Sequence, residues 1–239
     1  MRVKIVALLL VASCASAAPV APIAPAPTYA DVLSGIATER ATLAARWRVA
    51  KAAKGAKGKL ERAAVLQDAR EAARKRIVGE VFPPWFGTRW DFNGVSQTPG
   101  EGTIACGYFV STVLRDAGFK VERVRLAQQA SENIVRTLSP PDAIRTFRNQ
   151  TPDDVIEALR AGEDGLFAVG FDYHVGFVVK EGETVTFCHS SWINSGGVAC
   201  EDPASTGAWY STYYVVGRLF DDPMLIAWLE EVAIPTKRK

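Results

Sequence analysis

Two histidines, four cysteines and a net charge of only +2 in 239 residues limit what this chain can do chemically. The near-neutral charge gives no strong pull toward nucleic acid or an anionic membrane, so no nucleic-acid partner is expected. The positive charge is uneven, with Lys51 to Lys59 and Arg70 to Arg76 making the N-terminal third basic. Such charge is more often a solvated helix face than a binding site. There is no internal repeat, and past the N-terminal leader no run is long and apolar enough for a transmembrane helix. With 48% hydrophobic residues, the chain can bury the core of one globular domain.

Residues 1–17 read as a signal peptide. Arg2 and Lys4 form a charged start, Ile5 to Ala12 a short apolar stretch, and Ala15-Ser16-Ala17 a small-x-small cleavage pattern. This predicts export, to the periplasm or outside the cell. A rival lies within it. Val11-Ala12-Ser13-Cys14 resembles a lipobox, which would lipidate Cys14 and anchor the protein to a membrane.

Export gives the cysteines meaning. Without Cys14, three remain: Cys106, Cys188 and Cys200. In an oxidising compartment an odd count leaves one free thiol or an intermolecular link. Cys188 and Cys200 flank the turn Asn194-Ser195-Gly196-Gly197 between two strand-like runs. Opposite one another on a hairpin they would bridge, leaving Cys106 free. The alternatives are three reduced thiols, or Cys106 paired with one of the others.

Residues 18–28 are an Ala/Pro-rich linker. Residues 29–80 predict a helical hairpin broken at Lys54-Gly55-Ala56-Lys57-Gly58, or else a flexible basic arm. A loop dense in aromatics, Pro and Gly follows, from Gly79 to Gly102. It leads into Cys106, which stands at the start of a helix carrying Tyr108, Phe109, Val113 and Leu114 at helical spacing. A thiol there faces unpaired N–H groups and the positive end of the helix dipole, which favours the thiolate. A buried core cysteine is the plain alternative. Val121 to Leu126 reads as a strand, Gln128 to Leu138 as a helix, and Asp142 to Phe147 as another short helix. Thr151-Pro152-Asp153-Asp154 is a helix start. About five strands follow, then a last helix, with residues 233–239 as a frayed basic tail. Helices first and antiparallel strands after make the fold class α+β.

Both histidines fall in the strand block. His174 opens one strand and His189 closes the next, so a tight turn at Glu181-Gly182-Glu183 would bring them together at one end of the sheet. With Cys106 nearby, His174 would take the thiol proton and His189 would orient it. Zinc is the competing use of such residues. However, adjacent Cys188 and His189 point to opposite faces of a strand, which makes shared ligation awkward. No metal or cofactor is expected.

Residues 81–232, and most closely Trp85 to Leu219, resemble the NlpC/P60 branch of papain-like cysteine peptidases. The resemblance is carried by Asn93-Gly94 and the turn before Cys106, by His174-Val175-Gly176, and by Phe187 through Ser191. It implies a cysteine-bearing helix packed on an antiparallel sheet. It also implies Cys106 as nucleophile, His174 as base, His189 as the third residue, and peptidoglycan or a peptide as substrate. The simplest target is a D-glutamyl–diaminopimelate type bond; an amidase at the sugar–peptide junction is the nearest variant. A catalytically inactive fold serving as a cell-envelope scaffold is the alternative. The chain departs from the family where Ala105 and Gly107 replace the usual Asp and Ser, where Trp90 replaces an upstream Tyr, and in a long insert from Gln128 to Gly162.

Overall fold

A computed structural model describes residues 27–194 and 196–237. The signal peptide expected at residues 1–17, and Cys14, lie outside the described residues. Helices α1 (Tyr29–Ala52) and α2 (Gly55–Arg76) form the hairpin, and a π-helical turn, Ile77–Val81, leads into α3 (Phe82–Trp85). Thr28 and Asp31 cap α1 reciprocally, satisfying two end groups. Ile36, Leu43 and Trp47 of α1 pack with Val65, Leu66 and Ala69 of α2 in the same apolar cluster as the rest of the molecule. The pair is therefore no detached arm. Its arginines are occupied, Arg46 by Asp68 and Arg76 by Glu39 and Glu80.

Next come α4 (Cys106–Asp116), α5 (Arg123–Ala127), α6 (Ser131–Leu138), β1 (Ile144–Arg148) and α7 (Pro152–Arg160). Strands β2 (Gly165–Gly170), β3 (Val175–Glu181), β4 (Thr184–Ser190), β5 (Val198–Glu201) and β6 (Tyr213–Arg218) follow, and α8 (Asp222–Glu230) closes the order. The six strands pair antiparallel throughout, in the order β1-β6-β2-β3-β4-β5. The fold is α+β.

Three local expectations are corrected. Residues 144–148 are a strand rather than a short helix, because Ile144 to Arg148 finds the free edge of β6; this makes six strands instead of about five. Val121 to Leu126 is not a strand, because only Val121 finds a partner, a single bridge to Ile234. The backbone bonds from 123 on therefore close locally, as α5. Nor is the tail frayed up to Lys237. Ile234 donates to the Lys120 carbonyl, Thr236 to Glu122, and Lys237 to the Thr137 hydroxyl.

The sheet is buried on both faces, as alternating side chains on β3 show. Phe177 and Val179 join the cluster with α4 and the hairpin, while Val178 joins Val155, Ile156 and Leu159 of α7 on the other side. Cys188 and Cys200 are register partners across β4 and β5, and they form a disulfide with Cα atoms 4.0 Å apart. Cys106 is the free cysteine among the described residues. Replacing both disulfide cysteines with alanine is expected to cost about 2–4 kcal/mol, as for a short closed loop. Urea unfolding of the double variant against the parent checks this; an unchanged midpoint would mean the bridge does not constrain the chain.

Candidate active site

Cys106 is the first residue of α4, after an N-cap, Ala105, that makes no side-chain bond to the helix. The first-turn N–H groups are thus left to other partners. The preceding loop is clasped in place: Ala105 N–H donates to the Gly94 carbonyl and Ile104 N–H to that of Arg89, both at 2.9 Å. From the sheet, the buried Ser190 hydroxyl donates to the Ile104 carbonyl at 2.7 Å. Gly107 follows the thiol for a steric reason. A Cβ there would lie 2.3 Å from the Ala127 carbonyl oxygen, so the serine usual in the resembled family has no room.

His174 stands just before β3, and its ring packs against Phe171 and Phe187. His189 lies opposite Gly176 in the β3–β4 register and stacks on Phe187 at 4.1 Å. A Cβ at Gly176 would come within 2.7 Å of Phe187 and 2.8 Å of the Cys188 carbonyl, which accounts for the glycine two residues after His174.

The two histidines meet as the sequence predicts. His174 Nε2 lies 2.9 Å from His189 Nδ1. Beyond them stands a residue the sequence reading missed, since His189 Nε2 lies 2.9 Å from Glu201 Oε1. Asn194 donates to the other oxygen of Glu201 at 2.9 Å. A signal for Glu201 was available. Once Cys188 and Cys200 pair across β4 and β5, alternation puts Glu201 on the face of His189, one diagonal step away.

The order of groups determines the protons. Burial works to raise the Glu201 carboxyl, but hydrogen bonds from Thr206, Asn194 and His189 outweigh it and hold the group below its usual range. An ionised carboxylate only accepts, so His189 carries its proton on Nε2 and presents a bare Nδ1. His174 Nε2–H donates to that nitrogen. His174 is then left with Nδ1 unprotonated, the form a general base needs. Burial, and secondarily the neighbouring His189, push the His174 pKa down to about 3, so this ring is neutral at ordinary pH.

Cys106 departs from expectation. The backbone N–H groups of Val175, Gly107 and Cys106 itself do favour the thiolate, but burial outweighs them and raises the thiol pKa. The thiol is partly buried and makes no hydrogen bond to His174; the two line the same recess. The resting pair is neutral thiol beside neutral imidazole, not an ion pair. Alkylation of Cys106 by iodoacetamide is therefore expected to climb with pH through an apparent pKa above the ~8.5 of free cysteine. Mass spectrometry of the labelled peptide across a pH series checks this; a reactivity plateau below neutrality would reveal an ion pair.

The thiol opens onto a cleft of about 1040 Å³, walled by Trp90, Phe92, Tyr108, Gln128, Tyr173 and Trp192. Trp90 and Trp192 touch, with ring centroids 5.0 Å apart, and Trp90 N–H is held by the Gly196 carbonyl. The aromatic loop expected to wall the site does so from Trp90 onward. Its first part does not, because Phe82 and Trp85 lie fully buried in α3. The zinc alternative loses two ligands, since Cys188 and Cys200 are bonded to each other. No helix among the described residues is long and apolar enough to cross a membrane. The chain matches no protein-family model, no curated protein and no solved structure.

Proposed function

We propose that this protein is an exported cysteine hydrolase of amide bonds, a divergent relative of the NlpC/P60 peptidases with a papain-like domain, acting on peptidoglycan. One observation carries the reading: the run Glu201–His189–His174 ends at the recess that also holds the free thiol of Cys106, and a run anchored on an ionised carboxylate leaves its last imidazole with one unprotonated nitrogen. Such a run has a directional logic that a structural core does not require. The Cys106 sulfur attacks the amide carbonyl as His174 Nδ1 takes the thiol proton. A sulfur–carbon bond forms, and the carbonyl electrons move to an oxyanion facing the first-turn N–H groups of α4. As the tetrahedral species collapses, the carbon–nitrogen bond breaks and His174 returns the proton to the leaving amine. Water, deprotonated by His174, then splits the thioester and restores the thiol.

Digestion of purified peptidoglycan tests this, with mass spectrometry of the released fragments. New amine and carboxyl ends are expected with the parent protein and not with Cys106→Ala. Binding to the polymer without fragments would favour the scaffold alternative.

A further inference from the structure

The walls of the cleft carry chemistry that the hydrolase reading does not use. Four of the ten large apolar side chains exposed among the described residues border it: Phe92 at 78%, Val95 at 52%, Tyr173 at 95% and Trp192 at 60%. Leaving aromatic surface in water has a cost that a bound partner removes. The polar groups between them are amides, Asn93, Gln128 and Gln129. Apart from the two reacting groups, the only ionisable side chains among the described residues that line this cleft are two tyrosines, Tyr108 and Tyr173, and neither is a cation.

A cation that packs on the cleft wall, Arg123, is already occupied. Arg123 donates to the Thr112 hydroxyl and to the Val95 and Ser96 carbonyls, and its guanidinium lies over the Tyr108 ring at 4.9 Å. The adjoining recess, which shares Cys106 and His174 with the cleft, is lined by one charged side chain among the described residues, and it is negative. Asp172 lines it, with its carboxylate accepting from the Ser211 hydroxyl at 2.8 Å and from the Thr212 N–H and hydroxyl at 3.1 and 3.0 Å. These bonds keep it ionised. A carboxylate on the acyl side of the substrate would find no cation and one anion among the described residues that line the cleft and its recess.

We infer that the cleft takes an uncharged acyl group bearing a ring or apolar face, laid on the aromatic wall, and rejects acyl donors that carry a free carboxylate. The inference rests on the hydrolase reading and narrows it. A D-glutamyl bond carries such a carboxylate. The acyl group joining a sugar to its peptide does not, and it brings a ring. The junction bond is thereby favoured over the D-glutamyl bond.

The test uses the full chain and two pairs of probes. In the first pair, neutral iodoacetamide and anionic iodoacetate alkylate Cys106, and their rate ratio is compared with that for N-acetylcysteine. Like-charge juxtaposition in a partly desolvated site is expected to raise the ratio roughly tenfold or more. Gln128→Lys, which places a cation on the exposed cleft wall, should bring it back toward the free-thiol value. A ratio equal to that of N-acetylcysteine overturns the inference, because this measurement needs no turnover. The second pair is N-acetyl-γ-D-glutamyl p-nitroanilide and its α-carboxamide counterpart, which differ only in that charge. Faster hydrolysis of the carboxamide supports the inference, and equal or reversed rates overturn it. Charge-selective alkylation without Cys106-dependent hydrolysis of any substrate would instead uphold the cleft chemistry and sink the enzyme reading.

Discussion

Cys106→Ala is expected to bring hydrolysis of cell-wall fragments to the detection limit while leaving the protein folded. The two effects separate for physical reasons. No other free thiol exists among the described residues, and without the sulfur no covalent intermediate forms. The fold does not need the sulfur. Residue 106 is partly buried at a helix start, where alanine is well tolerated, and the loop before it is held by backbone bonds and by Ser190. The unfolding midpoint should move little, by under about 1 kcal/mol, as is usual away from a fully packed core. Full activity in this variant would make the nucleophile assignment wrong. Equal loss of activity and of folding would make Cys106 a structural residue.

The second large effect is expected at His174. His174→Ala should lower the rate by about 100- to 10 000-fold, the usual contribution of a positioned proton acceptor. Its dependence on the neutral ring should also show in the pH profile. The parent should keep its activity well into acid, because the His174 proton binds only near pH 3. An exogenous imidazole base should partly restore the variant. Undiminished turnover in His174→Ala would remove the base from the scheme. His189→Ala should be milder than His174→Ala, since the base remains and only its tautomer and orientation are released. Ser190 offers no substitute for His189, although it is adjacent in sequence. It points to the opposite face of β4 and its hydroxyl is committed to the Ile104 carbonyl. Losses within such a unit are not additive, so the double variant should resemble His174→Ala.

The stability effect of the same histidine has a definite sign. Its folded pKa lies below the ~6.5 of an unfolded histidine. Between these values the unfolded chain binds the proton and the folded chain does not. This contribution to stability is intact above about pH 6.5 and declines as pH falls toward 3.

Much of this was legible in the chain. The α+β class, the cap at Thr151, the meeting of His174 with His189, and the Cys188–Cys200 pairing all depend on local turn chemistry and on the period-two alternation of strands. Those rules act over neighbouring residues, so neighbouring residues reveal them. The strand at 144–148 was not legible. Whether Ile144 to Arg148 coils or extends depends on whether the edge of β6, some seventy residues on, is free to receive it. The role of Ser190 was hidden for a similar reason, since its partner at Ile104 lies far back in sequence.

The thiol separates the two levels most clearly. Sequence alone determined that Cys106 begins a helix and that two histidines lie at one end of a sheet. It also gave sound reason to expect a thiolate, because a helix N-terminus favours negative charge. Only the tertiary structure decided the protonation state. Burial disfavours any charged form, and that penalty is a property of everything packed around the site, not of the residues beside it in the chain. The same holds for Glu201, which becomes the end of the histidine run only once β5 is laid against β4.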